Sequence, residues 1–246
     1  MAYRTVFSLA FDGMESQDQS CVARLAKDRG WAVEWVEMSD GVARQSLESI
    51  VRFLDEPLEN PIHVGTYLLA RRAKDLDIRT VLTGDGADEF FLGYERHGCW
   101  FGERPIGEYR SWLETLRQDM VDELYTSDAL RNRREPVTAY GDSCAAFQSL
   151  AQALAFERRE RLPEYHCMRL DRATMACSVE ARPPLLDHRI VEAALSYPAR
   201  AHRLPTPKHL LKAIGAYPLP DYVVERRKAH FPSWPDECKC SPNPVG

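Results

Sequence analysis

Apolar and polar positions alternate with period two in a few short stretches of this chain and recur at helical spacing over most of the rest. Thr5–Phe11 alternates in part and reads as a strand closed by Asp12-Gly13. From Ser20 to Arg29, Val22, Ala23, Leu25 and Ala26 fall at helical spacing, and Gly30 ends the run. Trp31–Met38 alternates clearly and predicts a second strand, broken by Ser39-Asp40-Gly41. Leu47, Ile50, Val51 and Leu54 lie on one stripe of a helix running from Val42 to Leu54. Asp55-Glu56-Pro57 ends it, a proline-containing loop follows to Ile62, and a helix from Val64 to Leu76 feeds a strand at Thr80–Leu82. This β-α-β-α-α-β order predicts a parallel sheet with helical crossovers.

Beyond Tyr94 the strand signal stops. Trp112, Leu116, Met120, Val121 and Leu124 mark one amphipathic helix, and Phe147, Leu150, Leu154 and Phe156 another. Arg131–Pro136 between them is a charged connector, read as a solvated loop. Arg169–Met175 looks helical, and Pro183-Pro184 precede Asp187, a candidate cap for a helix at Ile190–Leu195. Thr206-Pro207 reads as the N-cap and first residue of a helix at His209–Ile214.

Composition narrows the class only a little. The 246 residues are 44% hydrophobic and 28% charged, as in an ordinary globular protein. A net charge of −5 leaves no basic footprint for nucleic acid. No apolar run reaches the length of a membrane span, and Met1–Thr5 lacks the apolar core of a signal peptide, so a cytoplasmic protein is expected. The seven cysteines are scattered without a CxxC pair, which supports neither a zinc site nor a disulfide framework. Cys238-Lys239-Cys240 is at most a weak metal site, and no cysteine stands at the N-terminus to act as a glutaminase nucleophile.

The chemistry concentrates after the third strand, in Thr83-Gly84-Asp85-Gly86-Ala87-Asp88-Glu89. In an open α/β sheet, the carboxyl end of a strand followed by a glycine turn and a helix is where ligands bind. Acids at a helix start are often simple caps. Three of them beside two glycines suit a hard cation such as Mg²⁺ held between carboxylate and phosphate.

Leu82–Tyr94 closely resembles a signature of the synthetase domain of glutamine-dependent asparagine synthetases and the related β-lactam synthetases. Leu54–Pro57 through Thr66–Leu69, Leu170–Arg189, Lys208–Lys212 and Arg226–Phe231 are similar to further motifs of that family, in order and approximate spacing. The resemblance implies an α/β fold, an incomplete parallel sheet of the ATP-pyrophosphatase (adenine nucleotide alpha hydrolase-like) type with a large helical C-terminal half. It implies ATP and Mg²⁺, and amide formation through an adenylated carboxylate, either a small molecule or a peptide. Leu9 would sit by the adenine, Thr83 and Gly84 would meet the nucleotide, and Asp88 would hold Mg²⁺. Asp85, Tyr94 and Lys228 are the candidate catalytic residues. Asp85 stands where relatives carry a glutamate or tyrosine near the acceptor, and Lys228 matches a lysine that stabilises charge on phosphates and the tetrahedral intermediate.

Other charged residues have plainer readings. Asp171, Arg172, Glu180 and Arg182 are expected to form a buried ion-pair network that orients helices. Arg226, Arg227 and Lys228 are equally a solvated face without the family match, and His166 and His188 read as surface or structural residues.

The chain departs from the family pattern in lacking a Ser-Gly-Gly-x-Asp-Ser loop, whose amides would cradle pyrophosphate. It is expected to begin after that loop, leaving the Phe7–Phe11 and Thr80–Leu82 strands facing a gap. Each buried unpaired backbone group costs about 1–3 kcal/mol, so the sheet must rearrange or accept a strand from another polypeptide. The expected layout is an α/β nucleotide-binding part over 1–97, a helical insertion over 98–165, a helical part with core motifs over 166–234, and a tail over 235–246. Two functions remain open at this point. One is a ligase completed by a partner chain that supplies the loop and any amidohydrolase, with no nucleic-acid or membrane partner. The other is an inactive nucleotide-binding or interaction subunit, or a truncated remnant.

Overall fold

The alternation of Ala32–Met38 places it as strand β2, lying parallel to β1 (Thr5–Phe11) in a register that runs from Thr5 opposite Ala32 to Phe11 opposite Met38. This computed structural model describes residues 5–11, 17–54, 62–103, 109, 147 and 149–226. The expected helices at Trp112–Leu124, the Asp55-Glu56-Pro57 turn, Arg227, Lys228 and Cys238–Cys240 lie outside the described residues. Those described form an α/β protein, mostly helical, divided into two compact units.

The first unit comprises 1–85, 164–187 and 211–246. Helix α1 (Gln17–Arg29) links the first two strands. Ser39, expected only as a breaker, caps α2 (Asp40–Val51), its hydroxyl accepting from the Val42 amide at 3.4 Å. Helix α3 (Ile62–Asp75) then leads into β3 (Thr80–Leu82). Ile50, Leu54, Val64 and Leu68 form the core between α2 and α3, joined by Ala173 of a later helix, Met168–Met175. On its other side, α3 presents Ala70 and Ala73 to Cys177 and Val179, with Phe7 of β1 and Val81 of β3 packed on the same cluster.

The sheet departs from a single continuous one. β3 pairs in parallel with β4 (Glu180–Arg182), a strand the sequence pattern did not reveal, in the register Thr80–Glu180 to Leu82–Arg182. Among the described residues no ladder joins β1 to β3, so the first unit carries two two-stranded sheets. β3 thus has β4 as its one strand partner among the described residues. Three residues between two prolines and a glycine-free turn carry too little alternation to declare a strand. Leu82 is left 74% exposed at the end of β3.

The second unit comprises 86–163 and 188–210. It contains α4 (Ala87–Phe91), a 3₁₀ segment (Glu95–Phe101), α5 (Leu150–Phe156), and most of a π-helical stretch (Glu157–Cys167) with Pro163 inside. The Met168–Met175 helix, α6, returns the chain to the first unit. Helices α7 (His188–Ser196) and α8 (Ala199–Arg203) complete the second unit, and α9 (His209–Gly215) starts within it. Among the described residues no helix is long and apolar enough to cross a membrane.

Leu68 is 1% exposed in the α2–α3 core. Leu68→Ala is expected to lower unfolding free energy by about 2–5 kcal/mol in denaturant titration. The same measurement on Leu82→Ser is expected to change it by less than about 0.5 kcal/mol, as for an exposed site.

Candidate functional site

In the first unit, the site begins where β3 ends. The Thr83 amide donates to the Arg182 carbonyl at 3.0 Å, extending the β3–β4 ladder by one residue and fixing the Thr83 backbone. Its hydroxyl oxygen is buried and has no hydrogen-bond partner among the described residues. Such an orphan normally costs about 1–3 kcal/mol, and the adjoining glycine shows where a partner could come from. A Cβ built on Gly84 meets nothing within 4 Å, so that backbone is open to an approaching group. Leu9 is half-buried in β1, opposite Val36 of β2, and Asp85 is half-buried at the end of this unit.

In the second unit, the chain enters α4 through Gly86 at φ 88°, a left-handed conformation that favours glycine. The helix lasts five residues because Leu92 is also left-handed, at φ 53°, and its amide closes back on the Asp88 carbonyl. This sharp exit brings Gly93 against the Asp88 side chain. A Cβ on Gly93 would stand 2.0 Å from Asp88 Oδ1 and 2.1 Å from Lys208 Cε. Lys208 Nζ lies 3.1 Å from Asp88 Oδ1, with the two side chains 25% and 21% exposed. Lys208 itself has φ 58°. This overturns the reading of Thr206-Pro207 as the start of the next helix: a left-handed residue separates Pro207 from α9, which begins at His209.

Glu89 faces the other way, 3% exposed. The Tyr94 hydroxyl donates to its carboxylate in a short hydrogen bond. Burial raises the Glu89 pKa above the ordinary carboxylate value, with the Tyr94 bond acting against it. Burial, with the Glu89 charge, also raises the Tyr94 phenol. Tyr94, a candidate catalytic residue, therefore has its hydroxyl engaged, and its ring lies 3.7 Å beneath the Arg96 guanidinium.

Behind this face sits a charge cluster that sequence reasoning missed. Glu157 is fully buried and accepts from Arg96 Nε at 2.7 Å, His97 Nε2 at 2.8 Å and the Tyr109 hydroxyl at 2.6 Å. Burial alone would raise its pKa, but His97 and Arg96 hold the carboxyl far below its usual range. Arg203, 2% exposed, donates to the Leu92 carbonyl at 3.1 Å and the Tyr94 carbonyl at 2.9 Å, and pairs with Glu103. It thereby satisfies the carbonyls left over where α4 stops. No motif spacing announces either cluster, since Glu157 and Arg203 each lie 48 or more residues from the partners they bind.

The expected buried network is not formed. Asp171, Arg172, Glu180 and Arg182 are all exposed. Glu180 and Arg182, two apart on a strand and so on one face, pair with each other in solvent at 3.0 Å. The buried cation of that region is Arg169, 3.3 Å from His63 Nε2 and 3.8 Å from the Tyr165 ring centre. His166 is half-buried and meets the Tyr165 ring edge-on at 4.9 Å, and Arg226 forms an ion pair with Asp18.

The first unit thus carries an open backbone at Gly84 just past the end of β3, and the second a partly exposed acid at Asp88 beside the tight Gly93 exit. The Asparagine synthase family profile matches residues 2–241. The chain belongs to the asparagine synthase family. It is 28% identical over 198 residues to a putative glutamine-hydrolysing asparagine synthetase of Methanocaldococcus jannaschii, covering 80% of this chain and 29% of that protein. It is 23% identical over 224 residues to asparagine synthetase 1 of Bacillus subtilis, covering 76% of this chain and 35% of the relative. A putative asparagine synthetase of Mycobacterium tuberculosis is 25% identical over 228 residues, with 76% and 34% covered. The chain thus spans about a third of the length of these relatives.

Each unit offers one group that suits a metal-bound nucleotide: the first the buried Thr83 hydroxyl, without a partner among the described residues, and the second the Asp88 carboxylate. Among the described residues no group of three or more metal-ligating side chains exists. Mg²⁺ characteristically binds through one or two carboxylates together with substrate phosphates, so a single acid suffices when a nucleotide supplies the rest.

Glu157→Gln leaves buried Arg96 without its counter-charge and is expected to cost about 3–5 kcal/mol at neutral pH by denaturant titration. A depressed carboxyl stabilises the fold above its ordinary value of 4.5 and loses that contribution as pH falls, so the wild-type advantage should shrink in acid.

Proposed function

We propose that this chain is the synthetase part of an ATP-dependent amide ligase that adenylates a carboxylate so that an amine can displace AMP. The observation that carries this reading is the buried, partnerless Thr83 hydroxyl at the end of a parallel strand, beside an open Gly84, in a chain of the asparagine synthase family. Leu9 lines the adenine side, and Thr83 and Gly84 bind the nucleotide. Asp88 holds Mg²⁺, which when bound neutralises phosphate charge and orients the triphosphate. Asp85 and Tyr94 belong to the acceptor side. Lys228 follows the negative charge that develops at the reacting centre, a role suited to a compact ammonium on a long stem.

A second polypeptide supplies the strand and the pyrophosphate loop, together with any amidohydrolase that generates ammonia. Two features support this: β1 and β3 each have one strand partner among the described residues, and Leu82 is uncovered at the end of β3. The acceptor is a small-molecule or peptide carboxylate.

The isolated chain is expected to show negligible carboxylate-dependent conversion of ATP to AMP; robust turnover by the chain alone would overturn the partner requirement. Co-expression with a neighbouring reading frame that encodes the loop should restore turnover, and Asp88→Asn or Lys228→Ala should each reduce it at least about a hundredfold, as for loss of an electrostatic stabiliser. An active assembly indifferent to both changes would refute the residue roles, and an assembly without turnover would favour an inert subunit.

A further inference from the structure

We propose that Lys208 is a built-in counter-cation for Asp88 that opposes a divalent metal until phosphate draws the ammonium away. The proposal rests on the reading that Asp88 takes the metal. Three observations place Lys208 deliberately. Its ammonium lies 3.1 Å from Asp88 Oδ1, with both side chains largely sheltered. The space for its stem exists only because residue 93 is glycine. Its backbone adopts φ 58°, a conformation that a non-glycine residue rarely holds without compensation.

The electrostatics follow directly. Mg²⁺ approaches a carboxylate oxygen to about 2.0–2.1 Å, so a metal on Asp88 and an ammonium on the same carboxylate become close like charges. In the absence of nucleotide the ammonium already neutralises Asp88, and metal gains little by entering. A triphosphate changes the balance, because its oxygens offer the flexible ammonium other acceptors and the metal further ligands. Lys208 therefore makes metal binding conditional on nucleotide. It is a positioning residue, acting through Asp88.

The test is titration of Mn²⁺ into the full chain, followed by the loss of the free-ion paramagnetic resonance signal, with and without ATP. Lys208→Gln is expected to tighten Mn²⁺ binding without ATP by about three- to tenfold, and to shrink the ATP-induced gain by the same factor. Lys208→Arg, which keeps the charge, should behave as wild type. Lys208→Met keeps the apolar stem and should match Lys208→Gln if the glutamine variant folds poorly. A merely structural lysine predicts unchanged or weaker metal binding in the neutral variants, and that result would overturn the proposal. Asp88→Asn separates the two ideas. If it binds Mn²⁺ with ATP as wild type does, the assignment of the metal to Asp88 fails and this inference falls with it. If it loses Mn²⁺ while the neutral lysine variants bind unchanged, only the role of Lys208 is refuted.

Discussion

A side chain at residue 93 would occupy space already filled by the Asp88 carboxylate and the Lys208 stem, so these two side chains lie together as they do over a glycine. The chain leaves α4 through a left-handed Leu92, passes close over Asp88, and continues to Tyr94, whose hydroxyl returns to Glu89. The two adjacent acids thereby stand in different environments. Asp88 remains partly accessible beside a cation, while Glu89 is buried against a phenol and its pKa is raised. Sequence adjacency on a helix puts neighbouring side chains about a hundred degrees apart, which is what allows this division.

An exit this tight leaves backbone carbonyls without helical partners, and the protein answers with Arg203. A guanidinium offers five donors in a fixed plane, so one side chain can bind two carbonyls and a carboxylate at once. Its own burial is offset by Glu103. The same logic recurs at Glu157, where a carboxylate with no solvent exposure is held by Arg96, His97 and Tyr109. Such clusters contribute little net stability relative to a well-packed apolar core, but they become costly when one member is removed. They hold the 3₁₀ segment and the π-helical stretch in one arrangement around the Leu92–Arg96 backbone.

The sequence disclosed the parts of the fold that depend on local periodicity. Both long strands, helices α1 to α3 and the strand–turn–helix at Thr80–Phe91 follow from apolar spacing and glycine placement. β4 did not, because three residues beside two prolines are too few to show a period, and their pairing with β3 spans a hundred residues. The Ser39 cap was legible in residue type but was taken for a break. At the site, the resemblance points to Thr83, Gly84 and Asp88, and the structure adds that the Thr83 hydroxyl is buried without a partner among the described residues. Lys208 was visible as part of a motif, yet its ion pair depends on a left-handed backbone that no lysine advertises in sequence. The buried ion network was assigned to the wrong residues for a similar reason. A strand of three residues turns Glu180 and Arg182 outward together, and only the pairing with β3 determines which face that is.

The proposed function requires the segment after β3 to receive a nucleotide together with its metal. Hydrogen–deuterium exchange of the chain, read peptide by peptide across Thr83–Tyr94, addresses this most directly. Exchange in that segment is expected to slow when ATP and Mg²⁺ are present together, and to change little with either alone. Equal protection by ATP in the presence of a chelator, or no protection of this segment under any of the three conditions, would contradict it.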